Sequence, residues 1–178
     1  MSIKNKHLII EPFFHNLGDA FVVIGARNLL KGRLEGYTIQ VPPSSEILEE
    51  EVAFNRRLWD IPWDDIFFIG TPLLFDGCEK NVKHDVLVKC ASSDANTELI
   101  GVGSSFPFFE DVLDNSIKIS QEMVDTLSKF SKISVRDPIA KQVLCDLNNT
   151  ELELCPSFYS FGQQEKKHTG GTVLVWSH

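Results

Sequence analysis

Short runs rich in β-branched and aromatic residues recur along this chain, each followed by a longer segment whose apolar residues return every three or four positions. A brief apolar run between polar boundaries suits a strand buried on both faces, and a 3.6-residue period suits a helix covering it. Regular exchange between the two patterns leaves mainly one architecture, a parallel sheet covered by helices. Strands are expected over residues 7–11, 37–41, 65–69, 98–102 and 132–135, with a last short one over 152–155. Helices are expected over about 20–31, from Ser44 or Ser45 to Leu58, over 82–90 and 121–130, and from Pro138 onward. The first is apolar nearly all round, which predicts burial against the sheet. Ser120 and Asp137 are expected N-caps, and Pro138 suits a first helical position. Each strand-helix-strand step should be a right-handed crossover.

A chain of 178 residues suffices for one such domain, able to bury roughly 70% of its unfolded surface. Residues 1–161 read as that domain. Gly162 to Gly171 is polar and reads as a linker, and Thr172 to Trp176 reads as the first strand of a further, missing or truncated domain. A formal charge of -8 without a Lys/Arg run excludes phosphate-backbone attraction, hence nucleic-acid binding. The longest apolar stretches fall far short of the roughly 20 residues needed to span a bilayer. Met1 to His7 is polar with no signal-type apolar run behind it, so a cytoplasmic location is expected. Four cysteines, Cys78, Cys90, Cys145 and Cys155, lie far apart in apolar contexts without a C-x-x-C pair, which predicts reduced core thiols.

Open α/β sheets bind ligands where strands run into helices. One such junction is Asn16-Leu17-Gly18-Asp19, where Gly18 permits a tight turn and the helix amides favour an anion. Asp19 competes for those amides, so it either caps the helix or accepts from a ligand hydroxyl. At Val135-Arg136-Asp137-Pro138, Arg136 either offers a bidentate fork to phosphate or carboxylate or pairs with Asp137 to order the turn. The loops Gly70-Thr71-Pro72 and Gly101-Val102-Gly103-Ser104-Ser105 permit close approach of a ligand or serve as tight turns. His15 is a candidate acid or base, whereas His7, His84, His168 and His178 lack partners in sequence. There is no G-x-G-x-x-G, Walker sequence or nucleophile elbow.

The ordered set His15-Asn16-Leu17-Gly18-Asp19, Phe67-Phe68-Ile69-Gly70, Leu73-Leu74-Phe75-Asp76, Ile100-Gly101-Val102-Gly103 and Ile133-Ser134-Val135-Arg136-Asp137 resembles the polysaccharide pyruvyl transferase family. Cys155-Pro156-Ser157-Phe158 is similar to the family's segment after the last strand of its first half. The resemblance covers about residues 7 to 160, the N-terminal half of a usual member. It implies a Rossmann-like three-layer α/β/α domain with a mainly parallel sheet, like the N-terminal domain of a GT-B fold. The implied activity is transfer of a pyruvyl group from phosphoenolpyruvate to a sugar hydroxyl in making surface polysaccharide. No cofactor or metal is implied beyond phosphoenolpyruvate as donor substrate, and the implied partners are that donor, a saccharide acceptor and a second domain or partner chain. Asn16, Gly18 and Asp19 would line the cleft, Gly70 and Gly103 would border the ligand, and Arg136 would hold the anionic donor. The catalytic residues are not assigned, because in the family the acid-base groups come largely from the second half, and this chain alone is expected to be inactive. Two other readings stand beside it: a non-catalytic sugar- or partner-binding domain, and a nucleotide-sugar-binding module.

Overall fold

The computed structural model describes residues 6–12, 17–31, 36–41, 59–70, 72–75, 78, 82–105 and 119–161. In chain order these hold β1 (His7–Pro12), α1 (Leu17–Leu29), β2 (Gly36–Val41), β3 (Asp65–Ile69) and β4 (Pro72–Leu74). Then come α2 (Val82–Ala91), β5 (Asn96–Ser104), α3 (Gln121–Leu127), β6 (Lys132–Val135), α4 (Pro138–Val143), β7 (Thr150–Leu152) and a 3-10 helix, Pro156–Tyr159. The strands form one parallel sheet in the order β2-β1-β3-β5-β6-β7, and the short β4 lies against the carboxyl end of β5. The expected helix before Leu58, the linker at 162–171 and the strand at 172–176 lie outside the described residues.

Winding reverses once, between β1 and β3: the chain steps one way from β1 to β2 and the other way from β3 through β5 and β6 to β7. A constant crossover hand then requires helices on opposite faces. That is the observed packing. Val22, Val23 and Ala26 of α1 meet Ile9, Phe67, Ile69 and Ile100 on one face. Val86, Leu87 and Cys90 of α2, Met123 and Leu127 of α3 and Ala140 of α4 meet Leu8, Ile10, Ile66, Phe68, Leu99, Val102, Ile133 and Val135 on the other. The result is a three-layer, Rossmann-like α/β fold. β3 sits between two strands and two helical layers, so every residue from Ile66 to Ile69 is buried, which explains its unbroken apolar run.

Local chemistry sets several of the boundaries. Ser120 accepts from the amide of Met123 at 3.2 Å and starts α3. Asn149 closes the far end of that segment, its amide nitrogen donating to the carbonyls of Leu127 and Phe130 at 3.1 and 2.6 Å. The 3-10 helix returns to α1, where Asn28 donates to the carbonyl of Tyr159 at 2.7 Å and the rings of Phe21 and Phe161 lie 5.5 Å apart. Two glycines make room for it. A Cβ on Gly25 would stand 1.7 Å from the Pro156 carbonyl oxygen, and one on Gly101 would stand 2.5 Å from the Pro156 ring.

Some expectations are corrected. β5 runs from Asn96 to Ser104, longer than the expected 98–102, because a bulge centred on Gly101, at φ +70°, absorbs a register shift and pairing continues beyond it. β4 was not anticipated; its proline is at the first residue, where a missing amide is tolerated. The last strand is Thr150–Leu152, not 152–155, since the register pairs Thr150 with Ile133 and leaves Leu154 exposed. α1 is not buried all round: Ile24 and Leu29 are 44% and 47% exposed, because only one side of the helix meets the sheet. Cys78 and Cys90 are core thiols, but Cys145 is exposed and Cys155 half-buried. His7 does have a partner, Asp65, 2.9 Å away across the β1–β3 pairing, a contact between residues 58 positions apart. Among the described residues no helix is long and apolar enough to cross a membrane.

Candidate functional site at the carboxyl edge of the sheet

At the end of β6, the Arg136 amide donates to the Val102 carbonyl at 2.9 Å, holding the residue beside β5. Its side chain lies over Gly103. A Cβ there would come within 2.5 Å of the Arg136 Nε and 2.8 Å of an Nη, so the absence of a side chain at Gly103 creates the bed for the guanidinium. The expected alternative, an Arg136–Asp137 pair, does not form. Asp137 is turned the other way: it accepts from the Ser104 amide at 2.9 Å, the Ser104 hydroxyl at 2.7 Å and the Ala140 amide at 2.7 Å. It thereby caps α4 and ties that helix to β5. Arg136 is half-buried, and among the described residues its guanidinium has no hydrogen bond or ion pair. A planar cation with five donors, set in place and left without a carboxylate, suits a phosphate or carboxylate ligand.

A second cation on this edge went unnoticed in the sequence. Lys83 is partly buried at the start of α2, which pushes its pKa below the usual 10.5, while the nearby Asp19 carboxylate opposes that shift. Asp19 stands in the first turn of α1. The two helices begin on opposite faces of the sheet, at the point where the winding reverses, which is where such sheets open a crevice. The available signal was a cation in the first turn of a helix, against the dipole. Gly18 is exposed within α1, and no left-handed backbone is recorded for it, so it does not make the expected tight turn. Asn16 and His15 lie outside the described residues.

Gly70 answers to packing. Its amide donates to the Ile100 carbonyl at 2.6 Å, and a Cβ would fall 2.0 Å from the Gly101 oxygen, so the missing side chain admits β5. Glu11, fully buried near the end of β1, is occupied by Arg27, whose Nε and Nη2 donate to its two oxygens at 2.5 and 2.7 Å. The structure therefore brings Gly103 to Arg136 and Asp19 to Lys83. It does not bring Asp19 to Arg136 as neighbours, because β3 and β5 separate β1 from β6, roughly 14 Å at 4.8 Å per strand spacing. Among the described residues no three His, Cys, Asp or Glu side chains come together as metal ligands.

Fold and edge together define a Rossmann-like α/β protein with a cation at two places along the carboxyl edge of its sheet, Lys83 beside Asp19 and Arg136 over Gly103. None of the family models, curated proteins and solved structures compared with the chain matches it.

Proposed function

We propose that this chain is a donor-binding domain of a polysaccharide pyruvyl transferase-like protein, one that transfers a pyruvyl group from phosphoenolpyruvate to a sugar hydroxyl. The observation that carries the reading is the Arg136 guanidinium bedded on Gly103 at the carboxyl edge, with no carboxylate spent on it among the described residues. Phosphoenolpyruvate has a phosphate and a carboxylate, either of which matches the fork. In a protein of net charge -8 such a ligand needs local positive potential, which Arg136 supplies at the end of β6. A GT-B-like arrangement, in which a second domain closes over this edge, belongs to the same proposal. So do the roles of Asn16, Gly18, Asp19 and Gly70 along the cleft, although close strand packing already accounts for Gly70.

The test is equilibrium binding of phosphoenolpyruvate, with nucleotide sugars as competing candidates. Arg136→Ala is expected to weaken phosphoenolpyruvate binding at least tenfold, and Arg136→Lys to restore it only in part, because the point charge survives and the fork does not. Unchanged affinity in Arg136→Ala removes Arg136 from the site. Preference for a nucleotide sugar over phosphoenolpyruvate replaces the reading with that of a nucleotide-sugar module.

A further inference from the structure

Among the described residues the sheet ends on two strands, β2 and β7, and their outer edges are not alike. β7 is three residues long, and Glu151 and the nearby Glu153 both reach the Lys132 ammonium, at 2.9 and 2.7 Å. A short, charged edge resists a further strand. β2 has six residues, Gly36-Tyr37-Thr38-Ile39-Gln40-Val41, with neither a charge nor a proline, and no described strand pairs with its outer side. Its outward amides and carbonyls form a template that another strand can satisfy.

The path of the chain after β7 leads toward that edge. From Leu152 it crosses to the face of α1, where Pro156 lies against Gly25 and Gly101, Asn28 bonds the Tyr159 carbonyl and Phe161 meets Phe21. On this face the β1-α1-β2 crossover steps toward β2. A second right-handed crossover on the same face must step the same way, so a parallel strand following residue 161 belongs beyond β2; placed beyond β7 it would be left-handed. Thr172 to Trp176, outside the described residues, has the β-branched and aromatic composition of such a strand. Gly162 to Gly171 supplies ten residues before it, about 35 Å when extended. The route from α1, which packs over β1, β3 and β5, is roughly 14 Å across the strands and at most about 20 Å along them, within that reach. We infer that Thr172 to Trp176 joins this sheet as a parallel strand on the outer edge of β2. The segment that the sequence alone presents as the opening of a further domain then completes this one. A second copy of the chain is the rival occupant, but a ten-residue tether holds the chain's own segment at an effective concentration on the order of mM. The inference is independent of the reading of the carboxyl edge.

Amide exchange followed by NMR on the full chain tests this. In a parallel ladder β1 bonds alternate amides of β2, and those between them point outward. The outward set should exchange at least about 100-fold more slowly than free peptide. Val173→Pro/Leu174→Pro removes one donor on each side of the added strand, so in that variant the outward amides should speed up at least tenfold while those bonded to β1 stay slow. The amides of Phe67 and Phe68 report whether the variant keeps its fold. Cross-strand NOEs between residues 172–176 and 37–41 in the parent protein, expected for a paired strand, give a readout that needs no variant. Outward amides that exchange like free peptide, protection unchanged in a folded proline variant, absent NOEs, or protection that rises with protein concentration, as pairing between copies would produce, each overturns the inference.

Discussion

Single residues on the carboxyl edge differ in what a substitution there would disturb. Gly101 and Gly103 are two positions apart in one strand, yet replacing them should do different things. Gly101→Ala forces a side chain onto backbone at φ +70° and into the Pro156 ring, so a loss of about 1–3 kcal/mol is expected in urea denaturation. Gly103→Ala has the far end of a flexible arginine as its nearest neighbour, and that can swing away. Stability should then change by less than about 1 kcal/mol while phosphoenolpyruvate affinity falls, and an affinity equal to that of the parent protein would disconnect the guanidinium's bed from binding. Lys83 makes a prediction through pH. Its folded pKa is depressed, so between that value and the ordinary 10.5 the unfolded chain holds more protons at this site, and the contribution of Lys83 to stability must rise with pH across that window and level off above it. The buried Cys90 thiol, pushed up to about 12, acts in the opposite sense, so the measurement is the difference between the parent protein and Lys83→Met: from about pH 8 to about pH 11 the parent should gain stability relative to the variant, and a constant difference would remove the effect.

Among the elements, α4 is the one most dependent on a single side chain. It is six residues long, too short to persist by its own propensity, and Asp137 supplies its cap while holding Ser104 by two further bonds. Asp137→Ala should cost about 2 kcal/mol, the upper end of the cap range, since the Ser104 amide also loses its partner. Ser120→Ala, which loses one cap bond at the start of α3, should cost about 1 kcal/mol. Equal losses for the two variants would mean that the link to β5 contributes nothing. Both caps were legible in the sequence, since a capping residue and the helix it opens are contiguous. The bulge in β5 was not, because glycines that end a strand and glycines that bend one look the same until the neighbouring strands are in place.

For the whole molecule, protection should follow strand order. β3 lies between β1 and β5 under two helical layers, while β7 closes one edge with Glu151 and Leu152 exposed. In hydrogen exchange the amides of Phe67, Phe68 and Leu99 should open only with global unfolding, and those of β7 well before. Uniform protection across the sheet would contradict this gradient. The same order sets Asp19 and Arg136 at two separate places, one at the β1–β3 reversal and one between β5 and β6. Strand number along the chain says nothing about strand position across a sheet, and only the second decides which loops meet.

Hydrophobic period, caps and punctuation act within a dozen residues, and so the chain by itself determined its class, five strand positions to within two residues, the starts of α3 and α4, and Arg136 at a strand-to-helix junction. Tertiary structure alone decided what lies against what. Arg136 settles on Gly103 from another strand, His7 finds Asp65, Lys83 is desolvated near Asp19, and Pro156 lodges between Gly25 and Gly101. Each of these joins residues from separate elements, and such a pairing has no local signal, because its free energy exists only once the sheet has brought the partners within reach.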